Sequence, residues 1–191
     1  MDRDVVDLLE QGFAWTGERV ALVGPDDLDA ETPCEGWRLR HLMNHMLAAL
    51  GRLAGAAEGE VAPPEAFDAR AQALLDRLGD DCGHAAFAGV RDRALAVWRS
   101  PGVMERTCAL PLGSIPAPMA AHLNLVEVVV HGWDVSQATG ERAAIPDELA
   151  GPILDFSRQA VGPARGRAFG PDLSTGESLS DRTVSFLGRK L

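Results

Sequence analysis

Apolar residues recur at three- and four-residue intervals through most of this chain. Val6, Leu9, Phe13 and Val20 form one such stripe, and Gly24-Pro25 then interrupts it, so the spacing predicts an amphipathic helix over about residues 2 to 23. Turn-forming residues dominate 25 to 37. Leu39, Leu42, Met43, Met46, Leu47 and Leu50 then share one face of a second helix, which the glycines at 51 and 55 are expected to end. A linker over Gly59 to Pro64 leads to a short helix predicted over Phe67 to Leu78. A longer helix over Ala85 to Trp98 is closed by Ser100-Pro101-Gly102. Residues 103 to 118 contain three prolines and read as a long connection with an extended stretch around Cys108 but no sheet of consequence.

Met119, Leu123, Val126, Val130 and Trp133 mark another strong helix, ending at Gly140, where a left-handed cap is usual. Pro146 opens a further helix to about Val161. Gly, Pro, Ser and Arg then make 162 to 180 irregular before a last apolar turn at Val184 to Leu187. The pattern predicts an all-α bundle over about residues 2 to 140 with short helices in an extension over 141 to 191. At 191 residues and 46% apolar composition, one domain spanning residues 1 to 191 is expected.

The bulk numbers narrow the function classes. A net charge of −10 repels phosphate backbones and anionic lipid, so nucleic acid and membranes are not expected partners. No run approaches the roughly 18 to 20 apolar residues of a membrane span, and the start lacks the features of a signal peptide, so a cytoplasmic location is expected. Three cysteines, Cys34, Cys82 and Cys108, share no short spacing and suggest neither a disulfide framework nor a zinc-thiolate site.

The chemistry lies in Leu123-Asn124-Leu125-Val126-Glu127-Val128-Val129-Val130-His131, a helix apolar in nearly every direction. An ionised carboxylate in such a setting costs several kcal/mol unless a cation, a metal or hydrogen bonds compensate it. His131 is four residues from Glu127 on the same face, and Asn124 three residues before it. An acid and an imidazole so spaced can converge on one ion, with a third ligand from a facing helix. Of the five histidines, His45 lies within the second helix on the flank of its apolar stripe, whereas His41 lies further toward solvent. The spacing equally fits a core histidine bonded to a carbonyl and a buried acid paired with an arginine.

Thr32-Pro33-Cys34-Glu35-Gly36-Trp37, Leu42-Met43-Asn44-His45 and Glu127-Val128-Val129-Val130-His131-Gly132-Trp133-Asp134-Val135, with Ala138-Thr139-Gly140, resemble the actinobacterial branch of the DinB-like superfamily that includes mycothiol-dependent maleylpyruvate isomerases. Phe169-Gly170-Pro171 and the segment from Asp181-Arg182 to Arg189 extend the resemblance to the C-terminus. It implies a DinB-like four-helix bundle holding a divalent metal, zinc or else nickel, through His45, Glu127 and His131. The isomerases carry a further C-terminal α/β domain, for which 191 residues are expected to leave no room, so maleylpyruvate itself is not the expected substrate. Arg38 and His41 also depart from the family's usual residues at the start of the second helix.

Around that centre, Trp37, His41, Asn124 and Trp133 are candidates to line a substrate site, and Asp134 to orient an imidazole or take a proton. Cys34 is a weaker candidate nucleophile. Arg158, Arg165 and Arg167 are candidates for binding an anionic group. The resemblance implies a thiol transferase or isomerase in which mycothiol adds to a small electrophile. The competing readings are a metal enzyme that uses no thiol and a non-catalytic metal-binding protein, for which His41 would be the ligand closing the site. A monomer or homodimer is expected.

Overall fold

Asp4 accepts a hydrogen bond from the Val6 amide at 3.0 Å and so starts the first helix, α1 (Val5–Val20), which buries Val5, Leu8, Leu9, Phe13 and Val20 along one stripe. The structure is a computed structural model that describes residues 4–110, 113–162, 165–166 and 169–191. A 3₁₀ turn at Pro25–Asp29 and an irregular loop lead to α2 (Leu39–Glu58). This helix runs well past Gly51 and Gly55, where the sequence suggested an end. Leu53, Ala54, Ala56 and Ala57 continue its buried face, and the cap is Gly59 at φ +97°. Burial outweighs the helix cost of two glycines, roughly 1 kcal/mol each.

The short helix expected over 67 to 78 shrinks to α3 (Ala69–Ala73), capped by Asp68 through the amides of Arg70 and Ala71. Leu74 and Leu75 are exposed and give a longer helix nothing to bury. Next come α4 (His84–Trp98) and a two-stranded antiparallel hairpin, β1 (Thr107–Leu110) with β2 (Gly113–Pro116), in which Cys108 faces Ile115. The extended stretch of the sequence thus finds a partner, but the sheet stays at two strands among the described residues. Helix α5 (Ala117–Ala138) starts earlier than Met119, with Pro118 in the first turn where its missing amide costs nothing.

Helices α1, α2, α4 and α5 form the bundle: α5 packs on α1 and α2, and α4 closes the ring against the same two. The hairpin lies across α2 and α5. The fold is therefore all-α, as expected. In the C-terminal extension, α6 (Asp147–Ala160) packs on α5 and α1, and α7 (Leu179–Phe186) packs on α6. Here the sequence suggested only an apolar turn. Ser178 and Asp181 form a reciprocal cap that starts a full helix, and the Thr183 hydroxyl donates to the Ala150 carbonyl at 3.1 Å, tying α7 to α6. Among the described residues no helix is long and apolar enough to cross a membrane.

Candidate metal centre

Helix α5 is buried on most of its circumference, and its polar side chains Asn124, Glu127 and His131 line up toward α2. Across that seam His45 projects from α2. Its Nε2 lies 3.7 Å from Glu127 Oε2, and His131 Nε2 lies 3.3 Å from the same oxygen. One ligand atom from each of the three falls within 4.8 Å of the others. The Glu127 side chain is 25% exposed and those of His45 and His131 are 14% and 9% exposed, so the cluster sits beneath the surface and opens on the glutamate side.

Two buried atoms in this cluster, Glu127 Oε2 and His45 Nδ1, have no hydrogen-bond partner. Burial disfavours ionisation of Glu127, but the imidazoles of His131 and His45 outweigh it and hold the carboxyl well below the usual carboxylate range. Donors about 2.0 to 2.1 Å from a tetrahedral ion stand roughly 3.4 Å apart, close to both separations seen here. Two nitrogens and a carboxylate oxygen, with an orphaned oxygen between the imidazoles, fit a borderline divalent cation such as zinc.

Behind His131 the site continues inward. His131 Nδ1 is 2.9 Å from Asp134 Oδ2, and Asp134 has no exposed surface. Burial disfavours its charge, but the Arg189 guanidinium and His131 more than compensate and bring its pKa down to about 2. An ionised carboxylate only accepts, so Nδ1 carries the proton and leaves Nε2, facing Glu127, as the nitrogen available to an ion. Burial pulls the His131 pKa down, but Asp134, Cys34 and Glu127 together raise it well above the ordinary histidine value, so an ion binding at Nε2 displaces a proton that these groups favour there.

Arg189 Nη2 contacts Asp134 Oδ2 at 3.0 Å and its Nε contacts Oδ1 at 3.3 Å. Cys34 donates to Asp134 Oδ2 at 3.4 Å and lies 3.6 Å from Arg189 Nη2. Cys34, His131 and Asp134 also stand close enough for a metal. A cation there would face a guanidinium already paired with Asp134, so electrostatics favours the His45, Glu127 and His131 group.

The other residues singled out by the sequence fall in several places. Trp37 packs edge-on against the His45 ring, centroids 4.9 Å apart, and forms one wall of the cluster. Asn124 is fully buried and donates to the Leu50 carbonyl at 3.1 Å, bracing α5 on α2. Trp133 is part of the core. His41 is away from the cluster: its Nδ1 accepts from the Arg38 amide at 3.1 Å as a helix cap, and it lines a separate depression of about 330 Å³ with Arg40, Asn44 and Leu74. Arg158 is exposed beside Asp155, and Arg165 donates to the Gly170 and Phe186 carbonyls over the Phe186 ring. Arg167 lies outside the described residues.

Sequence reasoning assigned no role to Arg189 or Arg52. Arg52, two turns beyond His45 on α2, is half-buried; burial lowers its pKa, with the Glu127 charge opposing and Arg77 reinforcing the shift. The signal for Arg189 was a basic residue closing the apolar Val184 to Leu187 segment, but nothing local ties it to Asp134.

Residues 9–136, which contain His45, Glu127 and His131, match the family model described as the Mycothiol maleylpyruvate isomerase N-terminal domain. Two Mycobacterium tuberculosis proteins, Uncharacterized protein Rv0738 and Uncharacterized protein MT0763, are each 30% identical over 175 residues, covering 89% of both chains. Two crystal structures of the mycothiol-dependent maleylpyruvate isomerase, one of them a mutant, share the fold with TM-scores of 0.60 and 0.62 at 21% and 19% identity. The likeness covers 80% of this chain but only 65% of those solved chains. Since the matched region takes in α2, α4, most of α1 and α5, and the seam between α2 and α5, the chain belongs to the Mycothiol maleylpyruvate isomerase N-terminal domain family.

Proposed function

We propose that this protein is a metal- and thiol-dependent enzyme, a transferase or isomerase in which His45, Glu127 and His131 hold one divalent ion, zinc or else nickel, and mycothiol is the cosubstrate. The observation that carries the reading is the orphaned Glu127 Oε2, set between two imidazole nitrogens at 3.3 and 3.7 Å. The names of the solved relatives support the thiol and a small electrophilic substrate. When bound, an ion with three protein ligands and an open position lowers the pKa of a coordinated thiol, supplying a nucleophile at neutral pH.

The chain's own part is to orient and to shield. Asp134 holds the proton on His131 Nδ1 and so directs Nε2 at Glu127, while the Trp37 edge restricts motion of the His45 ring. Small molecules would approach from the exposed edge of Glu127. With it we propose a cytoplasmic location and a monomer or homodimer, with a small thiol and a small electrophile as the partners.

The test is elemental analysis of protein purified without chelator, followed by substitution with cobalt and titration with mycothiol, glutathione and a thiol-free analogue. One equivalent of metal and a thiolate charge-transfer band appearing at the lowest concentration for mycothiol is the expected result. Absence of the band with every thiol would leave a metal enzyme that uses none. Full metal retention by both His45→Ala and His131→Ala would overturn the site.

A further inference from the structure

We infer that Arg189, at the far C-terminal end of the chain, is a positioning residue for the His131 imidazole, acting through Asp134 with Cys34 as the third member of one buried anchor. The inference rests on the metal reading for its functional consequence and on the geometry behind His131 for the anchor itself. Arg189 lies well beyond residue 136, where the family match ends, so the anchor unites the matched region with a segment outside it.

Asp134 is the junction. Its Oδ2 receives His131 Nδ1 at 2.9 Å, Arg189 Nη2 at 3.0 Å and Cys34 Sγ at 3.4 Å, while Oδ1 receives Arg189 Nε at 3.3 Å. A guanidinium contacting both oxygens fixes the plane of the carboxylate as well as its charge, which a point-charge ammonium does not. Fixing that plane fixes the direction from which His131 Nδ1–H is accepted, and therefore where Nε2 points on the other side of the ring. Without a cation against it, a fully buried carboxylate would be strongly disfavoured.

Arg189 is in turn held by the tail. Its Nη1 donates to the Leu187 carbonyl at 3.2 Å, and its amide donates to the Val184 carbonyl at 3.0 Å. Gly188 makes the inward turn at φ +90°, and a β-carbon there would come within 2.5 Å of the Gly170 α-carbon, so a side chain has no room. The guanidinium is buried against Asp134 rather than extended into solvent, unlike that of Arg158. Cys34, from the loop before α2, closes the third side, so one carboxylate joins that loop, α5 and the C-terminal tail.

The decisive comparison uses the full chain as wild type, Arg189→Met, Arg189→Lys and the double variant Asp134→Leu/Arg189→Met. Two readouts are taken: the hydrogen-bonded Nδ1–H resonance of His131 by nitrogen-15 NMR, with and without zinc, and zinc affinity by chelator competition. Arg189→Met should weaken the slowly exchanging Nδ1–H signal and bind zinc about 10-fold more weakly, the low end of the range for removing the histidine's own outer partner, because Asp134 stays but loses its fixed plane. Arg189→Lys should recover part of both. If Arg189→Met fails to fold, the double variant substitutes an apolar pair for the ion pair, a change buried sites often tolerate, and should show the same two losses. An unchanged resonance with unchanged zinc affinity in either folded variant overturns the inference. Should wild-type protein bind no zinc, the metal reading fails by itself, and persistence or loss of the Nδ1–H signal in the variants still decides the anchor.

Discussion

Against α1, helix α5 presents Leu125, Val128, Val129 and Gly132 to a close apolar contact in which the Thr16 hydroxyl donates to the Val128 carbonyl at 2.8 Å. Against α2 the same helix presents Asn124, Glu127 and His131, and leaves Asn124 Oδ1 and Glu127 Oε2 without hydrogen-bond partners. The first flank maximises close packing and satisfies what it buries. The second holds polar atoms poised around a common point, an arrangement that costs stability unless something binds there. On the proposed metal reading, one helix separates the work of holding the bundle together from that of binding an ion, and each flank should respond to substitution without the other.

The polar seam should give the largest response. Zinc at about one hundred times its dissociation constant should raise unfolding free energy by roughly 2.7 kcal/mol, measured by urea titration with and without metal. The gain should vanish in His131→Ala and persist in His84→Ala, because His84 Nε2 is engaged with the Val23 carbonyl at 3.0 Å rather than with the seam. An equal gain in all three proteins would show that zinc acts elsewhere. Glu127→Gln should likewise lose the gain while far-ultraviolet circular dichroism remains helical.

On the dry flank, Gly132→Ala should destabilise by about 1–3 kcal/mol through overpacking, more than the roughly 1 kcal/mol that alanine contributes to helix propensity. A β-carbon there would collide with the Thr16 hydroxyl and approach the Trp15 ring to 2.9 Å, and Thr16 is held by its bond to Val128. Thermal unfolding measures the loss, and a stabilised variant would mean that the α1 contact yields easily. Thr16→Val should cost about 1 kcal/mol by the same measurement, the usual worth of one hydrogen bond, with zinc affinity unchanged. Loss of zinc affinity in Thr16→Val would show the two flanks to be coupled.

The smallest effect is expected at the helix cap. His41→Ala frees the Arg38 amide and should cost about 0.5 kcal/mol, with zinc stoichiometry unchanged. A metal defect in this variant would bring His41 back toward the site despite its position on the α2–α3 side.

Helical periodicity made the bundle legible because each of its helices buries one stripe or, for α5, nearly its whole surface. Boundaries failed where burial or capping overrode local preference. Two glycines are carried inside α2 by the alanines and Leu53 around them, Leu74 and Leu75 fall outside α3 because nothing covers them, and Ser178 with Asp181 extends an apparent turn into α7. The i, i+4 placement of Glu127 and His131 was readable because a helix imposes it, and burial of the acid followed from its apolar neighbours. That His45 faces them across the seam was a choice among five histidines which helix-face reasoning could narrow but only the packing of α2 on α5 could make.

What the sequence by itself determined was therefore local and periodic: all-helical architecture, the apolar faces and the spacing of acid and imidazole along one helix. What only the tertiary structure decided was convergence. Asp134 was visible as a neighbour of His131, but its pairing with Arg189 and Cys34 joins residues 55 and 100 positions away along the chain. No propensity or spacing encodes such a contact. It arises because a fully buried carboxylate must find its compensating charge wherever the fold brings one, and here the fold turns the C-terminal tail inward at Gly188 to supply it.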